Sequence, residues 1–417
     1  MFLVAIVYTL KMELDPQGSQ HRASKTILIE RHTTLISSIK KKTTDTSDFG
    51  RICKVSEKFY TETEDIYFPR MVSIGPFHRG KEKLNDMEER KWKYLNTLLL
   101  RAVNADTRLE KCVEVLKTME DRARKCYGDE IHMTSDEFVE MMLVDGCFII
   151  ELFHKCCCRG TRRRGDPFFT TYQVFPQLRH DLLLLENQIP FFVLQHLFNL
   201  VPVPTQCGDC SLIELAFRFF RKMVPDDPHD LQDKYGQEIH HLLDLIHQSF
   251  IPKTHILQQQ PKQPHSQMNI PTATNLLKTG KQIKKTRSPS ILGLKFIKGS
   301  LRIPALRHHD LMETLLRNLV AMENNCYNAT KYVTSYVFFM RHLLQSNEDA
   351  KILRKKGIID KEEEFVKLFG KIFVDVEAKD FYYGDLLEKL DEYIKPNISI
   401  RYAKKARKYV VGCLRQL

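Results

Sequence analysis

Side chains able to move protons gather in one apolar stretch, where Arg179-His180-Asp181 is followed by Glu186-Asn187-Gln188. A carboxylate beside a histidine is the simplest general acid–base pair. Read on one helix, Asp181 and Glu186 stand about 140° apart, so they do not face each other as a carboxylate dyad must. A structural role fits better. Polar groups within an apolar segment are buried with it and must be hydrogen-bonded. Asp181, Glu186, Asn187 and Gln188 are therefore read as a structural polar network, with Arg70, Arg179 or a backbone terminus near Pro190 as expected partners. An enzyme site around Asp181 and Glu186 is kept as the alternative.

Two further patterns imitate ligand sites. Gly75-Pro-Phe-His-Arg-Gly80-Lys81 matches G-x-x-x-x-G-K, but Glu82 then sets a carboxylate where a P-loop needs Ser or Thr for magnesium, and Pro76 removes an N–H from the phosphate cradle. Cys207-Gly-Asp-Cys210 has metal-ligand spacing without a second pair at zinc-finger distance. No catalytic residue, cofactor site or metal site is assigned.

Two clusters point to surfaces instead. Cys156, Cys157 and Cys158 precede Arg159 and Arg162 to Arg164, a setting in which palmitoyl chains and basic residues act together. They are candidate lipidation sites, the plain alternative being incidental thiols in an exposed loop. Arg401, Lys404, Lys405, Arg407 and Lys408, with no acid from Ser399 onward, are candidate contacts to an anionic surface, or one face of a solvated helix.

The elements that must position these residues are mostly helices. Helical apolar spacing runs from Leu84 through Ala102 and again from Leu109 to Ala123. Thr134 and Glu137 have capping-box spacing ahead of the apolar run Phe138 to Leu152. Arg159 to Asp166 reads as an exposed loop. Leu178 to Leu200 is the most apolar helical stretch, and Pro190 should kink or split it. Ser211 to Met223 and Glu238 to Phe250 are helical, and Ile291 to Leu306 has the punctuation of short strands. Helices resume at Leu311 to Met322, Val333 to Leu344, Glu362 to Phe369 and Leu386 to Tyr393. The expected fold is mainly α, a multi-helix globular body with a few short strands. Its layout is a flexible leader at 1–49, an N-terminal helical half at 50–250, a flexible Gln- and Pro-rich connection at 251–269, and a C-terminal helical half at 270–417.

Composition narrows the class further. With 43% hydrophobic and 28% charged residues over 417 positions, disordered and fibrous classes are excluded. Lys plus Arg at 64 against Asp plus Glu at 52 leaves +12, a bias toward acidic partners. The basic residues scatter through several loops without a nucleic-acid motif, which argues against nucleic acid as partner. No run reaches the roughly 20 apolar residues of a membrane span, and the first residues lack the basic region of a signal peptide. The odd, uneven set of eleven cysteines fits reduced thiols in a cytosol-facing protein.

Several ordered blocks carry a family resemblance. Ile52-Cys-Lys-Val55, Tyr67-Phe-Pro69 and Val72-Ser-Ile-Gly-Pro76 open it, and Asp181-Leu-Leu-Leu-Leu-Glu-Asn-Gln-Ile-Pro190-Phe191-Phe192 is its hallmark. Ile270-Pro-Thr-Ala273, Arg317 to Glu323, Val333-Thr-Ser-Tyr336 and Gly357-Ile-Ile359 follow. From Ile52 to Lys408 the chain resembles the plant family called domain of unknown function 247. The resemblance implies a helical body, membrane association and a recognition role without an established reaction. Its usual members continue past Tyr393 into a hydrophobic helix, which this chain, ending at Leu417, lacks, so attachment is expected to be peripheral. The resulting expectation is a non-enzymatic module that recognises a protein partner or signals at the plasma membrane periphery, with a cytoplasmic location as the alternative. A soluble nucleic-acid binder is a second functional alternative.

Overall fold

Apolar positions three and four apart close most of this chain into helices. The computed structural model describes residues 52–394 except 61–65, 163–164, 172, 203, 205–207, 209, 222, 225–237, 252–269, 326–329 and 375–379. The described residues contain fourteen α-helices and one three-stranded sheet, a mainly α fold. The leader at 1–49, the connection at 252–269, Cys207 and the cluster Arg401, Lys404, Lys405, Arg407 and Lys408 lie outside the described residues.

Three long helices come first: α1 Asn85–Leu99, α2 Ala105–Lys125 and α3 Ser135–Cys157. The capping box forms as the spacing predicts, with Thr134 Oγ1 accepting from the Glu137 N–H at 3.3 Å and Glu137 Oε2 accepting from the Thr134 N–H at 2.9 Å. A helix that is apolar all round must be buried, and α3 runs through the core with Phe138, Val144, Phe148 and Leu152 sealed from solvent. It also carries three buried charges, each with a partner: Asp145 with Lys91, Glu151 with Arg101, and Lys155 with Asp166.

Around α3 pack α4 Pro167–Thr170, α5 Val174–Asp181, α6 Phe191–Leu200, α7 Leu212–Phe219 and α8 Leu242–Phe250. At Gly146 an added Cβ would lie 2.4 Å from Leu197 Cδ1, so a larger residue there would have to displace that leucine side chain between α3 and α6. The expected split of Leu178 to Leu200 at Pro190 is found, with Pro190 standing as the residue before α6. What is corrected is the part before it, where the helix ends at Asp181 and residues 182–190 are irregular and buried.

The remainder comprises α9 Ala273–Lys278, β1 Gln282–Thr286, β2 Lys295–Ile297, β3 Ser300–Pro304, α10 Met312–Asn325, α11 Tyr332–Leu343, α12 Asn347–Lys355, α13 Glu362–Lys371 and α14 Gly384–Ile394. The strand order is β1-β3-β2, with β1 parallel and β2 antiparallel to β3. Lys298 and Gly299 join β2 to β3 with φ of 48° and 73°, the left-handed pair that a two-residue hairpin turn requires. One continuous apolar core draws on residues from Ile52 to Leu390, on both sides of the 252–269 segment.

Candidate functional site

A buried irregular segment faces a physical problem, because its backbone N–H and C=O groups have no ladder to pair with and no water to reach. In the segment 182–190, polar side chains supply the missing partners. Asn187 Nδ2 donates to the Asp181 carbonyl at 3.0 Å, and Gln188 Nε2 donates to those of Leu182 and Leu184 at 2.9 and 2.8 Å. Asn318 Oδ1, from α10, accepts the Leu185 N–H at 2.9 Å. These amides stand where helical N–H groups would otherwise be, which is why the helix stops at Asp181.

The same side chains hold a second strand of chain, residues 70–75, against the first. The Asp181 carboxylate accepts three consecutive backbone N–H groups, Arg70 at 2.9 Å, Met71 at 2.7 Å and Val72 at 2.8 Å. Asn187 Oδ1 accepts the Ile74 N–H at 2.7 Å while its Nδ2 donates to the Val72 carbonyl. Asp145 Oδ2 accepts from Gly75 at 2.8 Å. Gln188 Oε1 accepts the Leu243 N–H of α8. The partners thus differ from those expected. Arg70 contributes its main-chain N–H, and the Arg179 guanidinium donates to the Phe219 carbonyl instead. In the G-x-x-x-x-G-K segment the Gly75 N–H is already bonded to Asp145, that of Ile74 just before it is bonded to Asn187, and Lys81 Nζ is 2.7 Å from His78 Nδ1.

Glu186 sits differently. Its Oε1 accepts the Val55 N–H at 2.8 Å and the Tyr60 hydroxyl at 3.2 Å, and its Oε2 lies 3.1 Å from His78 Nε2. Lys81, over the Phe68 ring at 4.8 Å, completes a line of polar groups from the exposed surface to the buried segment. Burial pushes the Glu186 carboxyl up, but hydrogen bonds from His78, Val55 and Tyr60 outweigh it and leave the group below its ordinary value. Burial lowers the Lys81 ammonium, opposed by Glu186. Because the folded pKa of Glu186 is depressed, its ionised form stabilises the fold above the unfolded value of about 4.3, and that contribution fades as pH falls through the folded value. Glu186→Gln should therefore cost about 1 to 3 kcal/mol at pH 7, with the gap to wild type closing below about pH 4. Urea unfolding across this range measures it, and a gap that stays constant to pH 3 would contradict the assignment.

A second site was not legible in the sequence. A cleft of about 680 Å³ opens between α1, α3 and α4. Its floor is the buried pair Lys155 and Asp166, 2.7 Å apart, with the Tyr94 hydroxyl donating to Asp166 at 3.0 Å and Lys155 Nζ 3.9 Å from the Tyr94 ring centre. Burial and the Asp166 carboxylate together hold the Tyr94 hydroxyl far above its ordinary pKa. Phe168 forms one wall, and Arg90, Lys93, Asp86 and Glu89 lie along the rim. The expected exposed loop Arg159 to Asp166 is corrected at its last residue, since Arg159, Gly160 and Gly165 are exposed. Asp166 is buried, and Arg162 folds back to donate to the carbonyls of Lys155 and Cys156. The signal available in the sequence was a lysine inside an apolar helix, which requires a buried acid.

The cysteine cluster lies at the end of α3. Cys156 and Cys157 are half-buried, and burial raises both thiols, Cys157 to about 11. Cys158 is buried and disulfide-bonded. Among the described residues no group of His, Cys, Asp and Glu is arranged to hold a metal, and no helix is long and apolar enough to cross a membrane.

The class defined by this geometry is a helical body locked around a buried segment whose backbone is satisfied by acid and amide side chains. The chain belongs to the plant family described as "Plant protein of unknown function" (DUF247), which matches residues 52–415. It is 30% identical over 374 residues to the UPF0481 protein At3g47200 of Arabidopsis thaliana, with 82% of this chain and 77% of that protein covered. It is 21% identical over 445 residues to the Putative UPF0481 protein At3g02645 of the same plant, covering 84% and 83% of the two chains. No solved structure matches the chain.

Proposed function

We propose that this chain is a non-enzymatic recognition module that binds a protein partner at the periphery of the plasma membrane. The observation that carries the reading is the surface around α1. One side of this helix walls the cleft over Lys155 and Asp166, and the chain's one tryptophan, Trp92, stands 44% exposed on the same helix. Leu100 and Val103, in the turn that follows, are exposed as well. A large exposed aromatic with exposed apolar residues in the turn that follows is the composition of an interface hot spot. The acid–base alternative has less support, because Asp181 and Asn187 are sealed from solvent and bonded to the main chain.

Trp92→Ala should leave the melting temperature within about 2 °C of wild type, since exposed substitutions usually stay within ±0.5 kcal/mol. Proximity labelling in the native plant, with wild type and Trp92→Ala compared, should show neighbours that depend on this side chain. An identical neighbour set for both chains would sink the reading.

A further inference from the structure

We propose that the outward face of the β1-β3-β2 sheet docks onto anionic phospholipid headgroups. The register carries the inference. Lys284 of β1 and Lys295 of β2 both pair with Arg302 of the central strand β3. With neighbouring strands about 4.8 Å apart, three cations form one row about 10 Å long. Like charges placed directly across a sheet repel, so such a row calls for a counter-charge.

The described residues supply none. Lys284 and Lys295 are exposed, and none of the three takes part in an ion pair. Arg302 is half-buried, and its Nε is sealed from solvent without a hydrogen-bond acceptor. A buried unsatisfied donor is costly, so this guanidinium is left short of an acceptor. Helix α14 packs against β2, and its Asp385 forms no ion pair with Lys284, Lys295 or Arg302.

The surrounding sequence is as one-sided as the row. Residues 245–309 hold eleven lysines and arginines and no aspartate or glutamate. This stretch therefore accounts for nearly all of the chain's excess of +12. The opposite face of the sheet, Ile283, Leu301 and Ile303, is sealed in the core, so the cations stand on a rigid base.

An apolar side chain selects a lipid surface over a free polyanion. Ile297, on the cationic face at the tip of the β2–β3 hairpin, is 38% exposed and lies next to Lys298. An exposed apolar residue among cations is the pattern that seats at the headgroup and acyl boundary while the cations meet phosphates. The inference rests on the membrane-side part of the function proposed above and names the surface that serves it.

The test is flotation of the full chain with vesicles of phosphatidylcholine alone and of phosphatidylcholine with phosphatidylserine. The chain should float with the anionic vesicles only, and salt should weaken binding. Lys284→Gln/Lys295→Gln, changing two exposed positions, should lower partitioning about 30-fold. The control Lys351→Gln/Lys355→Gln, which removes the same charge from α12, should lower it less than about threefold. Ile297→Ser should weaken binding without changing its salt dependence.

Equal loss in the two double variants would reduce the effect to net charge and overturn the proposal. Undiminished flotation of Lys284→Gln/Lys295→Gln would assign attachment elsewhere and overturn it too. So would row-dependent binding of inositol hexakisphosphate or single-stranded RNA without vesicle binding. Failed flotation with Trp92-dependent neighbours intact sinks this inference alone, whereas the reverse result sinks only the partner reading.

Discussion

Asp181→Ala should unfold this protein or leave it barely stable. The carboxylate is fully buried and accepts the N–H groups of Arg70, Met71 and Val72 within 2.9 Å. Alanine brings no acceptor and leaves no route for water, so three main-chain donors lose their partners together. Each stranded donor costs about 1 to 3 kcal/mol, and the sum rivals the whole stability of a typical domain, about 5 to 15 kcal/mol. His180 Nδ1, 2.9 Å from the same carboxylate, loses its contact as well. Asp181→Asn keeps one acceptor oxygen but turns an amide N–H toward the donors, and should fall between the two. Thermal melts and hydrogen exchange at residues 70–72 measure the effect. An Asp181→Ala protein that melts with wild type, its exchange at those amides still slow, would remove the carboxylate from the scaffold.

Gly75→Ala should be nearly as damaging, for two separable reasons. Gly75 has φ of 76°, where an L-residue costs about 1 to 2 kcal/mol. An added Cβ would also stand 2.4 Å from the Gln188 carbonyl oxygen. That oxygen cannot retreat, since it accepts from the Tyr127 hydroxyl and the Gln188 side chain is bonded at both ends. Gly80 provides the comparison, with φ of 79° and open space around an added Cβ. Gly80→Ala should lose only the backbone part, about 1 to 2 kcal/mol, and Gly75→Ala at least about 2 kcal/mol more. Equal losses in urea titrations of the two variants would show that the close approach at Gln188 carries no weight.

What could be read from the sequence here was whatever repeats or is unusual in type. Apolar spacing placed α1, α2, α3 and most later helices, because a buried stripe must recur at the helical period. The polar quartet Asp181, Glu186, Asn187 and Gln188 stood out because it interrupts an apolar run. Its partners did not, since an N–H donor is present at every residue but proline, and nothing in the letters marks Val55 or Met71 as the one used. Arg70 and Arg179 were the visible cations, yet one acts through its main chain and the other serves Phe219. Strand β1, Gln282–Thr286, escaped notice because only Ile283 of its five residues turns inward. Lys155 and Asp166 escaped because one lay in an apolar helix and the other in a loop that looked exposed.

The buried segment also bears on how this chain acquires its structure. Val55, Met71, Gly75, Gln188, Leu243 and Asn318 are tied directly or through Asp145, Asp181 and Glu186 into one set of bonds that spans more than 250 positions of sequence. None of these bonds can form until distant parts of the polypeptide have met, so loop-closure entropy opposes assembly before any of them offsets it. A nascent chain released before Asn318 emerges would hold the segment 182–190 with the Leu185 N–H unmatched. The segment 182–190 is thus expected to be completed late in folding, and a ribosome-bound or shortened product is expected to remain a client of chaperones until α10 arrives.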